Sequence, residues 1–287
     1  MALYHCLTFL TDYGLEDGFV AACHGVALRI APNARIIDVT HLVPPGDIRR
    51  GAAVLAQTVP YLPPAVHVAV VDPGVGTARR GIAVASASGS VFVGPDNGLL
   101  SWAVEAAGGA VAAVSLTNRE LWLDSVTATF HGRDIFMPVA ARLAVDTPFD
   151  AAGSRLDVGD LVTLPRPGSR VSGSVASGEV LTVDRFGNVQ LSIAAADAAA
   201  AGAVVGEPVR LRSLPPDPAR GASPAEADEP AADVVVPFGR TFGDVLAGEL
   251  VAYPDSSGLV AIAVNGGNAA RRLALRPGTP VTLSIAI

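Results

Sequence analysis

The stretch VHVAVVDPGVG at residues 66–76 decides the fold of the first half of this sequence. Residues 66–71 are apolar except for one histidine, which is the composition of a short strand buried on both faces. The Asp-Pro-Gly that follows has the residue types of a tight turn. Strands buried on both faces are typical of parallel sheets that helices cover on each side. The stretch therefore predicts an α/β domain with polar residues at the carboxyl end of a strand.

Short β-branched runs alternate with helical patterns on both sides of this stretch. Further strands are predicted at 6–10, 36–39, 81–85 and 91–93. Helices are predicted at 19–30, 47–55, 98–107 and 137–145. Alternation of this kind is the signature of an α/β domain with a largely parallel sheet. We assign this N-terminal α/β domain to residues 1–155.

The composition changes where the α/β pattern ends. Residues 156–173 are rich in Pro, Gly, Ser and Arg, which predicts a linker. Short strand-like runs then predict a C-terminal all-β barrel domain over residues 174–287. These runs lie at 178–183, 189–193, 209–211, 259–264 and 280–285. Residues 213–232 contain five prolines and almost no large apolar residue, so we expect a flexible loop there.

The composition excludes several classes of function. The net charge is -7, all 20 basic residues are arginine and no basic run is present, so nucleic acid is not an expected partner. The absence of lysine also excludes Schiff-base chemistry. No stretch reaches the roughly 18 apolar residues of a membrane span, and no basic leader opens the chain. We expect a cytoplasmic protein in which Cys6 and Cys23 are reduced core thiols.

Three polar clusters follow predicted strands or precede a predicted helix. They are TDYG at 11–14 with Asp17, DPGVGT at 72–77 with Arg79 and Arg80, and HGRD at 131–134. Ligands of open parallel sheets bind beyond the carboxyl ends of the strands. Convergence of the three clusters on one cleft is therefore the simplest interpretation.

Each cluster also has a structural interpretation. Asp12 and Asp17 suit the cap of a helix that starts near residue 17. Asp72 belongs to a turn sequence, and a lone His131 is more often structural than catalytic. No GxGxxG dinucleotide motif is present, and no pair of His or Cys residues has metal-ligand spacing. We therefore expect neither a metal nor a cofactor.

Six segments occur in the order found in one enzyme family. They are TDYGxxD, VDPGVGTxRR, GPDNGLL, TFHGRDIF, DRFGNV and NGGNAA. Taken together along nearly the whole chain, they resemble the S-adenosyl-L-methionine (SAM) hydroxide adenosyltransferase family. The resemblance implies an N-terminal α/β domain, a C-terminal β barrel and a homotrimer. In such a trimer the ligand lies between the N-terminal domain of one subunit and the C-terminal domain of its neighbour.

The same resemblance assigns a catalytic triad of Asp, Arg and His. These residues fall here on Asp72, Arg79 and His131. The related halogenases have Tyr in place of this Asp, lack the His and carry Thr at the position of Val75. They also carry a long insertion where this chain runs directly through residues 82–97. On each count the sequence resembles the hydrolases of the family.

Substrate-binding roles are also implied by the resemblance. In the N-terminal domain it assigns the ribose hydroxyls to Asp12, the methionine ammonium to Asp17 and the lining of the cleft to Asn97. In the C-terminal domain it assigns the methionine part to Asp184 and Asn188, adenine to Phe186, and methionine or the adenine edge to Ser256, Asn265 and Gly266. One edge of the site departs from the halogenases, whose serine and two arginines align with Phe19, Ser257 and Val264.

The implied reaction is hydrolysis of SAM to adenosine and L-methionine by SN2 attack of water or hydroxide on ribose C5′. The nucleophile must lose a proton, so Arg79 would stabilise hydroxide while His131, oriented by Asp72 or sharing the task with it, accepts the proton. Three alternatives stay open at this point. They are a SAM-dependent halogenase that forms 5′-chloro-adenosine, a non-catalytic SAM or adenosine sensor, and a generic nucleotide-binding α/β protein.

Overall fold

The chain is built on two separate sheets, one in each half of the sequence. The computed structural model describes residues 4–214 and 231–286. The chain divides between Pro165 and Arg166 into two compact units, called here the N-terminal unit and the C-terminal unit. Most of the loop predicted at 213–232 lies outside the described residues.

Within the described residues, the N-terminal unit contains a seven-stranded mixed sheet. Its strands are β1 (Cys6–Thr11), β2 (Arg35–Thr40), β3 (Val66–Val70), β4 (Gly81–Ser86), β5 (Val91–Pro95), β6 (Ala110–Ser115) and β7 (Ser154–Leu156). They are arranged in the order β2-β1-β3-β5-β4-β6-β7. The pairs β2-β1, β1-β3 and β3-β5 are parallel, whereas β5-β4, β4-β6 and β6-β7 are antiparallel.

The prediction of a largely parallel sheet is therefore right for only one half of this sheet. Residues 87–90 alone connect β4 to β5, and a parallel pair needs a crossover of about a dozen residues or more. The two strands form a hairpin instead, whose turn contains Gly89 at φ +84°. The other half is parallel, so the carboxyl ends of β1, β3 and β5 meet at one edge.

Four α-helices belong to the described part of the N-terminal unit: α1 (Phe19–Ile30), α2 (Ile48–Thr58), α3 (Ser101–Ala106) and α4 (Met137–Val145). α4 continues directly from a π-helical turn at Gly132–Phe136. Asp47 caps α2, as predicted, by accepting a hydrogen bond from a first-turn N–H. The N-cap of α1 is Gly18, so the helix-capping interpretation of Asp12 and Asp17 is wrong. None of the helices in the described chain is long and apolar enough to cross a membrane.

β3 is buried along its whole length, in agreement with its apolar sequence. α1 contributes Cys23, Val26 and Ala27 to the core beside the sheet. Cys6 and Cys23 are both buried and free, which confirms the prediction of core thiols. Burial raises the pKa of Cys23 to about 12, so this thiol stays protonated at neutral pH.

In the described part of the C-terminal unit, eight strands with antiparallel pairing form a nearly closed, barrel-like sheet. They are β8 (Arg170–Ser172), β9 (Val175–Val183), β10 (Val189–Ala194), β11 (Pro208–Ser213), β12 (Asp233–Pro237), β13 (Leu250–Pro254), β14 (Leu259–Val264) and β15 (Pro280–Ile285). Their order is β12-β11-β15-β9-β10-β14-β13, with β8 paired to β9. A bridge between Phe238 and Ala252 links the two ends of this sheet. The α-helices in the described part of this unit are α5 (Ala195–Ala200) and α6 (Ala269–Leu273).

The range for which the sequence predicts a linker contains regular structure. A 3-10 helix at Val158–Asp160 and strand β8 both lie inside this range, residues 156–173. The division between the two units also falls within this range.

Gly94 in β5 allows a close approach of β5 to β3. A Cβ at this position would overlap the carbonyl oxygen of Ala69, which is backbone and cannot turn aside. We expect Gly94→Ala to lower the free energy of unfolding by about 1–3 kcal/mol. Gly25→Ala is the control, because the added Cβ lies in open space on α1. This variant is expected to raise the free energy of unfolding by about 0.5–1 kcal/mol. Urea unfolding followed by far-UV circular dichroism measures both, and equal midpoints would contradict the expectation.

Candidate active site

Asp72, Arg79 and His131 form a continuous chain of polar contacts. Arg79 Nε lies 3.0 Å from both carboxylate oxygens of Asp72, and Arg79 Nη2 also donates to Asp72 Oδ2. The same Nη2 lies 2.9 Å from His131 Nδ1. The side chains of Asp72 and Arg79 are only 5% and 13% exposed. Arg79 therefore stands between the carboxylate and the imidazole in a largely buried place.

The loop after β3 folds back so that Arg79 reaches the carboxylate. Two backbone turns within residues 72–77 reverse the chain. Gly76 has φ +78°, and a Cβ on it would lie only 2.7 Å from the carbonyl oxygen of Ala128. Both the turn and the packing against the segment that leads to His131 therefore require glycine at this position.

The surroundings of His131 favour its neutral form. Burial lowers the pKa of His131, and the positive charge of Arg79 lowers it further, whereas Asp72 and Asp134 act in the opposite direction. Arginine has no acceptor, so its hydrogen bond to Nδ1 requires that Nδ1 is unprotonated. This contact assigns the proton of the neutral ring to Nε2 and a lone pair to Nδ1.

Three predicted site residues stand at the carboxyl ends of three adjacent strands. Asp12 follows β1, Asp72 follows β3 and Asn97 follows β5. Asp12 is half-buried, and its Oδ2 accepts a hydrogen bond from Gly46 N at 2.8 Å. Asp17 is exposed in the loop between β1 and α1. The shared edge of the parallel strands is the reason that residues far apart in the sequence stand side by side.

The side-chain amide of Asn97 is bonded to backbone on both sides. Its Nδ2 donates to the carbonyl of Val71 at 2.9 Å, and its Oδ1 accepts from Leu99 N at 3.1 Å. These bonds tie the end of β3 to the turn after β5, directly beside Asp72. The role in lining the cleft that the resemblance implies stays a prediction.

Tyr13 lies in the polar cluster at 11–14, but the sequence assigns it no role of its own. Its ring packs edge-on against Phe130, with ring centroids 5.6 Å apart. Its hydroxyl lies so close to Gly132 that a Cβ there would overlap it. Burial raises the pKa of Tyr13, and the neighbouring acidic groups raise it further. Tyr13 thus joins the cluster at 11–14 to the cluster at 131–134, and a single aromatic residue in a turn has no periodic signal that would predict this.

The other two arginines of the predicted clusters pair with carboxylates of their own. Arg80 Nε donates to Asp96 Oδ2 at 2.8 Å. Arg133 Nε donates to Asp134 Oδ1 at 2.6 Å, and the second oxygen of Asp134 accepts from the N–H and the hydroxyl of Thr127. Both arginines thus hold the loops around the triad in place.

Asp184, Phe186 and Asn188 lie on the turn between β9 and β10. Asp184 Oδ1 accepts from the backbone N–H groups of Phe186 and Asn188 at 2.8 and 2.9 Å, and Oδ2 accepts from Asn188 Nδ2 at 2.8 Å. Gly187 has φ +86°, and a Cβ on it would overlap the side chain of Asn268. Phe186 is 69% exposed, so this turn presents an aromatic residue at the surface of the unit.

The other three predicted residues of the C-terminal unit lie at the two ends of β14. Ser256 is exposed on the turn before this strand, whereas Asn265 and Gly266 follow its last residue. The six residues of β14 span about 20 Å. Ala270 N donates to Gly187 O at 3.0 Å, so the β9–β10 turn adjoins the Asn265 end. The structure therefore brings Asn265 and Gly266 towards that turn. Ser256 follows Asp255, which accepts a hydrogen bond from the side chain of Gln190 near the start of β10.

Fold and site together define a class of protein with an Asp–Arg–His chain at the carboxyl edge of parallel strands and a second, barrel-like unit. The family model of the SAM hydroxide adenosyltransferase N-terminal domain matches residues 7–153. The model of the SAM hydroxide adenosyltransferase C-terminal domain matches residues 178–282. The chain belongs to the SAM hydroxide adenosyltransferase family.

Similar proteins cover nearly the whole chain. The (R)-S-adenosyl-L-methionine hydrolase of Salinispora arenicola (strain CNS-205) is 57% identical over 279 residues, which are 97% of this chain and 97% of that protein. The crystal structure of an uncharacterized conserved protein from Thermotoga maritima has a TM-score of 0.86 at 35% identity and covers 97% of this chain and 99% of its own. At only 28% identity, a fluorinase of Actinoplanes sp. (strain N902-109) also matches over 97% of both chains.

The order of contacts in the triad predicts that Arg79 and Asp72 have opposite effects on the pKa of His131. Arg79→Met removes a positive charge, so the pKa of His131 is expected to rise. Asp72→Asn removes a negative charge, so the pKa of His131 is expected to fall. NMR titration of the ring protons, assigned with a His131→Asn variant, measures both. Shifts in the same direction in the two variants would contradict this arrangement.

Proposed function

We propose that this chain hydrolyses SAM to adenosine and L-methionine. The observation that carries the proposal is the guanidinium of Arg79, held between the carboxylate of Asp72 and a neutral His131. The hydrolase name of the relative that shares 57% of its residues supports the same reaction. That name specifies the R form of the substrate, so the R form is the substrate that we propose first.

The difficult part of this reaction is the nucleophile, because the sulfonium leaves as a neutral thioether without help from an acid. Water has a pKa of about 15.7, so hydroxide is scarce at neutral pH. In the proposed step a water replaces the direct contact between Arg79 Nη2 and His131 Nδ1. The water gives a proton to the lone pair of Nδ1, and the hydroxide stays beside the guanidinium, whose charge stabilises it.

The hydroxide then attacks ribose C5′ in line with the bond to sulfur. The C5′–O bond forms as the C5′–S bond breaks, and the electron pair of that bond stays on the sulfur of methionine. An SN2 displacement of this kind inverts the configuration at C5′ and uses no cofactor. His131 afterwards returns its proton to solvent, which closes the cycle.

The proposed role of Asp72 differs from the direct orientation of the imidazole that the sequence suggests. Its two oxygens are bonded to the guanidinium, and it reaches His131 only through Arg79. Asp72 therefore positions Arg79 and offsets its charge. His131 takes the proton, because the lowered pKa of its ring leaves Nδ1 available as a base at neutral pH.

The substrate carries positive charge on its sulfonium and on its ammonium group, which carboxylates suit. Asp12 is proposed for the ribose hydroxyls, because Gly46 N occupies only one of its two oxygens. Asp17 is proposed for the ammonium, since its exposed carboxylate is open to a ligand. Asn97 is proposed to line the cleft between them.

In the C-terminal unit the proposed binding residues are those that the resemblance names. Phe186 is proposed to stack on adenine, because its ring is exposed on a turn that hydrogen bonds keep rigid. The methionine part is assigned to Asp184 and Asn188. Contacts with methionine or the adenine edge are assigned to Ser256, Asn265 and Gly266.

We also propose a homotrimer in which each site combines the N-terminal unit of one subunit with the C-terminal unit of its neighbour. Membership in the family and the exposed ring of Phe186 support this arrangement. The expected particle has three times the chain mass of 29.1 kDa. We also propose that the protein is cytoplasmic.

A SAM-dependent halogenase that forms 5′-chloro-adenosine is the second candidate, because a fluorinase is a distant relative. A halide ion is already a nucleophile and needs no base, so this function leaves Asp72 and His131 without a task. A non-catalytic SAM or adenosine sensor gives none of the three triad residues a task. The buried Asp72–Arg79 pair against His131 therefore favours hydrolysis over both.

The reaction is tested by incubating the purified protein with SAM in oxygen-18 water that contains chloride. Mass spectrometry is expected to find labelled adenosine and unlabelled methionine. His131→Asn and Arg79→Met are each expected to lower kcat by about 100- to 10,000-fold, because they remove the base and the charge that stabilises hydroxide. In the wild type, kcat is expected to fall as pH drops through the pKa of His131, which lies below its ordinary value.

The matched control is His5→Asn, because His5 is exposed and outside the site. This variant is expected to keep the wild-type rate. Unlabelled 5′-chloro-adenosine as the product would assign the protein to the halogenases. Bound SAM that stays unchanged would support the sensor. Both diastereomers at sulfur are assayed, so that a preference for one of them is not mistaken for inactivity.

Subunit mixing tests the shared site. Asp72→Asn disables the half of a site that the N-terminal unit supplies. Phe186→Ala weakens the half that the C-terminal unit supplies, because it removes stacking worth about 1–3 kcal/mol. Co-expression of the two variants is expected to restore about a quarter of the sites, since random trimers combine intact halves from different subunits. Light scattering checks that both variants keep the mass of three chains. Mixtures no more active than the separate variants would contradict a site between subunits.

A further inference from the structure

A second group of ligating side chains lies away from the triad, on α1 and at the end of β2. His24 belongs to α1, Asp38 to β2, and His41 follows β2 directly. His24 Nε2 lies 2.9 Å from Asp38 Oδ1, and His41 Nε2 lies 3.0 Å from the same oxygen. All three ligand atoms are within 4.8 Å of one another.

His41 is the buried member of this group, with only 3% of its surface exposed. Its Nε2 has no partner in hydrogen-bonding geometry within the described residues, although Asp38 Oδ1 is near it. A buried polar atom without a hydrogen bond lowers the free energy of unfolding, so we expect this nitrogen to have a further partner. The His24 and Asp38 side chains are 28% and 42% exposed, so an ion can reach the group from solvent.

The ring of His41 is held in place from its other side. Its Nδ1 lies 2.8 Å from the hydroxyl oxygen of Thr11, which is fully buried at the end of β1. Phe9 packs edge-on against the same ring, with centroids 4.9 Å apart. Metal-binding histidines commonly donate their second ring N–H to an oxygen, which fixes the ring and directs the other nitrogen at the ion. The contact with Thr11 supplies such an oxygen.

We propose that His24, Asp38 and His41 bind a divalent transition-metal ion of the zinc type. In a tetrahedral zinc site with bonds of about 2.0–2.1 Å, neighbouring ligand atoms are about 3.4 Å apart. The two nitrogen–oxygen distances of this group need to widen by only about half an ångström to reach that value. Two imidazoles and one carboxylate favour zinc over magnesium or calcium, which prefer oxygen ligands alone. Water fills the fourth position.

The ion would be structural and would steady the loop that carries Asp12. The Thr11 hydroxyl that contacts His41 also accepts a hydrogen bond from Tyr13 N at 3.1 Å. Gly14 N in turn donates to His41 O at 2.8 Å. A metal bound at His41 therefore restrains the backbone on both sides of Asp12. This inference does not rest on the proposed reaction, because it concerns only binding and stability.

Zinc binding to the untagged full chain, stripped with EDTA and dialysed, tests the proposal. Isothermal titration with zinc chloride is expected to show about one ion per chain and a rise in the melting temperature. His24→Gln and Asp38→Asn are each expected to weaken zinc binding by at least about 10-fold, since even the loss of an outer-shell partner costs this much. Cobalt added in place of zinc is expected to give visible absorption that both variants lose.

Two further variants separate this site from other histidines. His5→Gln removes an exposed histidine, and His131→Gln removes the histidine of the triad; both are expected to bind zinc as the wild type does. Circular dichroism in EDTA checks that every variant is folded before titration. Absence of stoichiometric binding to the wild type overturns the proposal, and so does binding that persists in His24→Gln and Asp38→Asn or is lost in His131→Gln.

Discussion

The candidate active site depends on the buried ion pair between Asp72 and Arg79. Taking two charges out of water costs several kcal/mol for each ion, and only close contact with well-formed hydrogen bonds offsets that cost. Both oxygens of Asp72 are bonded to the guanidinium, and a further contact of Arg79 reaches His131. Opening the loop after β3 would leave an unpaired carboxylate in a nearly buried place. The pair therefore fixes the loop and holds the guanidinium against the imidazole.

The sheet determines which residues can surround this pair. β1, β3 and β5 are parallel neighbours, so Asp12, Asp72 and Asn97 come together at one edge although they are far apart in the sequence. The β4–β5 hairpin makes this possible without a helical crossover, because it returns the chain in the direction of β3. Asn97 then locks the arrangement by donating to the carbonyl of Val71 at the end of β3.

The loop at 11–14 links the triad to the proposed metal site. On one side, the hydroxyl of Tyr13 packs against Gly132, the residue after His131. On the other side, Thr11 contacts His41 and the carbonyl of His41 accepts from Gly14 N. Asp12 lies between these two attachments. The position of its carboxylate therefore depends on contacts with both groups.

The sequence alone predicted the α/β and barrel-like halves and the bounds of α4 and β14, because apolar periodicity is a local property. The three residues proposed as a triad came from short motifs, through the resemblance to the family. The prediction from sequence missed β6, whose alanine-rich sequence has weak strand character, and the antiparallel direction of β4. Only the tertiary structure placed Arg79 between Asp72 and His131, and brought His24 to Asp38. Local patterns record which faces are buried, whereas contacts between side chains depend on strand order and helix packing.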